Sequence, residues 1–160
     1  MILVGGGARS GKSRFGMELA LRLSANPIFI ATAQAIDEEM ADRIKRHQLD
    51  RNPAFKLIEE PLDLVAAISK SDDVILVDCL TLWLSNNLEA KSYNFQAVIN
   101  AAKTRKEEII FVTNEVGEGI VPMHSVSREF RDLSGRMNQE FAAASDAVYF
   151  LHFGIASRIK

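Results

Sequence analysis

The chain has a single cysteine, Cys79, which excludes an internal disulfide framework and any cysteine-based zinc site. It has no apolar run near the roughly eighteen residues that a membrane span requires. It has no excess of one charge: 19 Lys+Arg against 21 Asp+Glu leave a net charge of −2 and a pI near 5.9. A global basic field for nucleic acid is therefore absent. No internal repeat, low-complexity tract or linker interrupts the 160 residues, and the chain enters an apolar segment at Ile2, where a leader peptide would be polar or basic. An apolar content of 48% is ample for one core. These exclusions leave the expectation of one cytoplasmic α/β domain over residues 1–160.

What is present is concentrated at the start. Ile2-Leu-Val4 runs straight into glycines, and Gly6-Gly7-Ala8-Arg9-Ser10-Gly11-Lys12-Ser13 completes a Walker A pattern. A buried strand that delivers a glycine-rich loop presents its backbone N–H groups to a phosphate. The helix that starts near Gly11 turns its positive end toward the same phosphate. Lys12 is then expected to reach the β- and γ-phosphates, and the Ser13 hydroxyl to hold Mg²⁺. The loop implies a nucleoside triphosphate without saying what is done with it.

Apolar spacing continues a helix to about Ser24-Ala-Asn-Pro27, and Ile28-Phe-Ile-Ala-Thr32 reads as a buried strand. Asp37 reads as the N-cap or a first-turn acid of a charged helix reaching His47, and Phe55 to Glu59 as a short strand. A helix follows from Pro61, with Leu62, Val65, Ala66 and Ile68 as its apolar residues. Val74-Ile-Leu-Val-Asp78 has the form of a Walker B strand. Leu80–Leu88 and Phe95–Lys106 read as helices, Ile109–Thr113 as a strand, and Val126–Ser145 as a long helix. Val148–Leu151 is expected to close the sheet. Alternating strands and helices imply a mostly parallel sheet with helices on both faces. Ligands in such sheets bind at the carboxyl ends of the strands. Gly6–Ser13, Thr32–Gln34, Asp78 and Asn114–Gly119 are thereby gathered on one rim. No large exposed apolar segment is evident.

Asp78, an acid ending an aliphatic strand, is expected to orient the water shell of Mg²⁺ opposite Ser13. On the charged helix, Arg43, His47 and Arg51 recur every four residues and share a face if the helix continues. That spacing suits either a solvated face of ion pairs or an anion site containing a nucleophilic imidazole. His124 and His152 read as a capping-region and a strand residue. Arg128, Arg131, Gly135 and Asn138 share a face of the long helix. A mid-helix glycine costs about 1 kcal/mol relative to alanine, so Gly135 fits either the close approach of a ligand or backbone, or a tolerated solvated position. Cys79, Trp83 and the phenylalanines read as core.

Taken together, the ordered motifs resemble the bifunctional adenosylcobinamide kinase / adenosylcobinamide-phosphate guanylyltransferase family of cobalamin biosynthesis. The resemblance rests on Gly6–Ser13, Ile30-Ala-Thr-Ala-Gln34 and the Asp37-Glu-Glu-Met-Ala-Asp-Arg-Ile…His47…Arg51 helix. Glu59-Glu-Pro61, Val77-Asp-Cys-Leu-Thr-Leu-Trp83, Thr113-Asn-Glu-Val-Gly and the Arg128–Gln139 helix extend it over nearly the whole chain. Asn52-Pro-Ala-Phe55 stands where such sequences often carry a tryptophan, and the segment after Asn87 is short. The resemblance implies a P-loop fold with a RecA-like sheet, a homotrimer, and GTP, ATP and Mg²⁺ as ligands. It also implies two reactions: phosphorylation of the corrinoid adenosylcobinamide, then transfer of GMP from GTP through a guanylylated His47. Lys12 and His47 would be the catalytic residues. Thr32, Ala33, Gln34, Gln48, Leu49, Asp50, Arg51, Glu59 and Asp78 would join the phosphate loop in binding nucleotide and Mg²⁺. Two other readings stay open on the sequence: a single-activity P-loop kinase for another small hydroxylated substrate, and a regulatory nucleotide-binding module.

Overall fold

The computed structural model describes residues 1–49 and 52–160; the side chains of Arg43, Arg46, His47 and Leu49 also lie outside what it describes. In chain order the elements are β1 (Ile2–Gly6), α1 (Lys12–Leu23), β2 (Ile28–Ala31), α2 (Glu38–Leu49), β3 (Lys56–Glu59), α3 (Leu64–Ile68) and β4 (Ile75–Asp78). There follow α4 (Leu80–Asn87), α5 (Phe95–Lys103), β5 (Ile109–Val112), α6 (Ser125–Ala144), β6 (Ala147–His152) and β7 (Ile155–Arg158). The strands form one sheet in the order β3-β2-β4-β5-β1-β6-β7. Every pairing is parallel except β6 with β7. The glycine-rich loop thus leaves an interior strand, β1, with β5 on one flank and β6 on the other.

The interior strands are short, nearly uninterrupted aliphatic runs because both of their faces are covered. Leu3, Ile30, Ile75, Val77, Ile109 and Phe111 pack on one side with residues of α3, α4, α5 and α6. Val4, Phe29, Leu76, Ile110 and Val112 pack on the other, against Phe15, Met17, Leu19 and Ala20 of α1. Gly16 lets α1 lie close to the sheet: a Cβ there would sit 3.0 Å from Leu76 Cδ1 and 3.2 Å from Val112 Cγ2. The register is continuous. Glu59, Ala31, Asp78, Val112, Val4, Tyr149 and Arg158 pair successively across all seven strands.

Several details differ from the sequence reading. The helix placed from Pro61 begins at Leu64, after an N-cap in which Asp63 accepts from Ala66 N–H. It buries Leu64, Ala67 and Ile68, while Leu62 and Val65 are exposed, so the apolar phase runs i, i+3, i+4 from Leu64. α5 stops at Lys103 rather than Lys106. Val148–Leu151 does not close the sheet, because β7 folds back on β6 as an antiparallel edge. Among the described residues Gly135 has no close neighbour outside its own helix turn; a Cβ there meets no atom within 4 Å. Phe29, Phe55, Phe95, Phe111 and Phe141 are core and Phe15 and Phe130 pack partly buried against it, whereas Phe150 is half-buried outside both clusters and Phe153 is 99% exposed. Finally, an apolar segment does lie open to solvent, with Ile120, Val121, Met123 and Val126 all exposed. Among the described residues, no helix is long and apolar enough to cross a membrane.

Candidate functional site

The site begins with Gly6. Its φ of 154° and the tight space around it both favour glycine. A Cβ there would lie 2.6 Å from Ser10 Oγ and 2.8 Å from the Leu151 carbonyl oxygen. The loop turns under this contact, with Ser10 N–H donating to Gly7 O at 3.3 Å, and α1 opens with Phe15 N–H donating to Gly11 O at 3.0 Å. Two neighbours tie the loop down. Glu115 N–H donates to Gly6 O at 3.1 Å, and Gly154 N–H donates to Ser10 O at 3.1 Å. Ala8 and Arg9 are exposed at its crown. Lys12 is buried at 7% exposure, and its Nζ donates to the Gly7 carbonyl at 3.0 Å. Ser10 Oγ is buried with no hydrogen-bond partner among the described residues, the kind of donor that an anionic oxygen would satisfy.

Strand alternation then decides which acid meets this loop. Asp78 shares a row with Val4, Ala31 and Val112, so it faces the α1 side of the sheet. Lys12 and Ser13 stand at the N-terminus of α1 on that same side. All three border one cleft of about 60 Å³, together with Asn114. The cleft's apolar wall is Phe29 and Ala31 from β2, Met40 and Ile44 from α2, and Leu82 from α4. Ser13 and Asp78 are hard oxygen donors suited to Mg²⁺. Among the described residues no group of three or more His, Cys, Asp or Glu could hold a metal alone. A cation here would accordingly draw its remaining ligands from phosphate and water, as Mg²⁺ does at such sites. Cys79 also borders the cleft but is inert: burial, and then the adjacent Asp78 charge, push its thiol pKa up to about 11.

Polar residues distant in sequence hold the rim. Asn114 N–H donates to Thr81 Oγ1 at 2.7 Å, and Thr113 Oγ1 donates to Asn138 Oδ1 at 2.7 Å. Asn138 Nδ2 returns to the Asn114 carbonyl at 3.3 Å. This closed network aims Asn114 into the cleft, and it uses Asn138 for positioning rather than for binding an anion. Arg128 similarly donates to the carbonyls of Pro122 and Met123, bracing the exposed segment before α6.

The remaining expected site residues divide. Ala33 borders the cleft. Thr32 is fully buried, its hydroxyl engaged with Cys79 backbone and its carbonyl with Asn86 Nδ2, so its side chain serves the scaffold rather than the cleft. Asn86 also donates to Pro61 O at 3.1 Å, joining two of the sequence motifs. Gln34, Gln48 and Glu59 are exposed, with Glu59 at the carboxyl end of edge strand β3. Asp37 caps α2 by accepting from Met40 N–H at 2.7 Å. The His47 and Leu49 side chains, and Asp50 and Arg51 altogether, lie outside the described residues. Asn114 was placed on the rim by the sequence but given no role, and Met40 and Ile44 were missed as site residues. The strand-end rule found the first, and the charge of α2 concealed the other two.

Comparison with known proteins supports the fold and shows the family. A crystal structure of the flagellar accessory protein FlaH from Methanocaldococcus jannaschii superposes with a TM-score of 0.60 over 99% of this chain and 77% of that one. At 16% identity it shows a shared fold alone. The bifunctional adenosylcobalamin biosynthesis protein CobU of Escherichia coli (strain K12) is 38% identical across 181 aligned positions, covering 100% of this chain and 99% of the relative. The alignment is longer than the chain, so the relative carries residues that are missing here. The bifunctional adenosylcobalamin biosynthesis protein CobP of Pseudomonas aeruginosa is 37% identical, covering 99% of this chain and 96% of the relative. Residues 2–159 match the family described as cobinamide kinase / cobinamide phosphate guanyltransferase. The chain therefore belongs to the CobU family of cobinamide kinases and cobinamide phosphate guanyltransferases.

Proposed function

We propose that this protein carries out both reactions of its family, phosphorylating adenosylcobinamide and then converting the phosphate to adenosylcobinamide-GDP. The observation that carries the kinase half is the shared cleft of Lys12, Ser13, Asp78 and Asn114. Residues Gly6–Ser13 grip the triphosphate through backbone N–H groups and the start of α1. Lys12 exchanges its Gly7 carbonyl for β- and γ-phosphate oxygens and offsets their charge as the γ-phosphoryl moves. The aminopropanol hydroxyl attacks the γ-phosphorus, and the nucleoside diphosphate leaves. Mg²⁺, when bound through Ser13 and Asp78, supplies charge neutralisation at the phosphates. Either ATP or GTP fits such a loop, which reads phosphates and not the base.

The guanylyl half rests on sequence: His47 within the Asp37–Arg51 motif. In this reading an imidazole nitrogen attacks the α-phosphorus of GTP and expels pyrophosphate. A phosphate oxygen of adenosylcobinamide phosphate then displaces the imidazole, and GMP is transferred. Gln48, Asp50 and Arg51, with Gln34 and Glu59, are the residues we assign to holding GTP near His47. Asn114 joins the kinase cleft in this assignment. We place the enzyme in the cytoplasm, acting as one domain and as a homotrimer by analogy with its family. The deciding experiment incubates the protein with α-labelled GTP and Mg²⁺ and looks for acid-labile, alkali-stable label on His47. Phosphorylation of adenosylcobinamide without any such label would leave only the kinase.

A further inference from the structure

The turn between β6 and β7 consists of two residues, Phe153 and Gly154, since His152 and Ile155 on either side are paired. Both have positive φ, 53° and 80°. That is the signature of a type I′ turn, whose first central position favours Asn, Asp or Gly. A bulky aromatic residue there sets its Cβ against the backbone. Packing does not compensate, because the Phe153 side chain is 99% exposed. A strained residue that buries nothing suggests a task outside the fold's own stability.

Its position indicates which task. Gly154 N–H donates to Ser10 O at 3.1 Å, and a Cβ on Gly11 would stand 3.5 Å from Gly154 Cα. The turn therefore rests on the phosphate loop, on the β6 flank of β1. Lys12, Ser13, Asp78 and Asn114 border the cleft on the opposite flank, toward β5 and β4. With the γ-phosphate in that cleft, the rest of a nucleotide leaves the loop toward the turn. We propose that Phe153 is a stacking platform for the nucleobase of the nucleoside triphosphate bound by Gly6–Ser13. This rests on reading that loop as the triphosphate site. A phenyl face stacks on any base, so the platform adds affinity for ATP and GTP alike. The corrinoid hydroxyl, in contrast, must approach from the cleft side to reach the γ-phosphorus.

The test is Phe153→Asn, which removes the ring and installs a residue the turn favours. Binding of ATP, GTP and inorganic tripolyphosphate is measured by calorimetry, alongside thermal unfolding and the KM for adenosylcobinamide. The expected result is a thermal midpoint equal to or above the parent's and unchanged tripolyphosphate binding. ATP and GTP should both bind about 5- to 150-fold more weakly, the range of one base–aromatic stack. Phe153→Trp should retain nucleotide affinity. Unchanged ATP and GTP affinity in Phe153→Asn overturns the proposal. So does an equal loss of tripolyphosphate, which would make the turn a prop for the loop, or an increase confined to the corrinoid KM. Wild-type protein that binds neither tripolyphosphate nor nucleotide would overturn the phosphate-loop reading itself.

Discussion

The hydroxyl of Thr32 donates to the Cys79 carbonyl and accepts from the Cys79 N–H, both at 2.8 Å. One buried side chain thus joins the end of β2 to the residue after Asp78, 47 positions along the chain. Thr32→Val keeps the shape and removes both bonds; the Cys79 carbonyl keeps its bond from Trp83 N–H at 3.1 Å, and the buried Cys79 N–H is left unsatisfied. A loss of about 1–3 kcal/mol is expected, read as a lower urea midpoint at unchanged slope. Thr32→Ser should lose far less, and a Thr32→Val protein as stable as the parent would remove the stitch from the account.

Lys12 Nζ donates to the Gly7 carbonyl of the phosphate loop at 3.0 Å. Lys12→Ala should lower kinase kcat/KM by about 100-fold or more, the usual effect of losing one charge-stabilising donor. Circular dichroism should stay unchanged. Turnover within a few-fold of the parent would mean that another residue carries the γ-phosphate charge.

His47→Ala separates the two reactions. Labelling by α-labelled GTP should vanish, while phosphorylation of adenosylcobinamide continues at a rate within several-fold of the parent. Equal loss of both activities in a folded His47→Ala protein would mean that the histidine serves the phosphate loop as well.

Two mid-helix glycines should respond with opposite sign. Gly16 faces Leu76 and Val112 at 3.0 and 3.2 Å from a built Cβ, so Gly16→Val should overpack and cost about 1–3 kcal/mol. Gly135 has open space around its Cβ position, so Gly135→Ala should gain about 0.5–1 kcal/mol from helix propensity. Chemical denaturation measures both; destabilisation by Gly135→Ala would imply a neighbour at that face.

Cys79 gives a pH dependence of definite sign. Buried beside Asp78, its thiol holds its proton until about pH 11, against 9.0 for an ordinary thiol. Between those values the unfolded chain is the more ionised, so this group's contribution to stability, complete below pH 9, is lost as pH rises toward 11. In Cys79→Ala that alkaline component should disappear. Native protein at pH 8 should also resist iodoacetamide and become reactive only on unfolding. Rapid native alkylation would contradict the burial.

The local chemistry was legible in the sequence wherever it was carried by contiguous residues. Ile2–Ser13 spells a strand, a glycine turn and a helix start because each depends on neighbours in the chain. Ile75–Asp78 and Ile109–Val112 were readable because both faces of an interior strand are apolar. β7 was not: Ile155-Ala-Ser-Arg158 is a short, exposed edge, without the alternation that marks a half-buried strand. Asn86 was equally silent, since its partners Thr32 and Pro61 lie 54 and 25 residues away.

The sequence by itself determined the phosphate loop, the Walker B acid, the nucleophile candidate and the family, because each is a pattern of residue types at fixed spacing. Only the tertiary structure decided which residues share a cleft. Parallel register put Asp78 in a row with Val4, and strand alternation turned it toward Lys12 and Ser13. The same folding removed Thr32's hydroxyl from the site by spending both of its bonds on Cys79, and it brought Phe153 to the phosphate loop's other flank. Those outcomes depend on pairings between strands far apart in the chain, which no local spacing encodes.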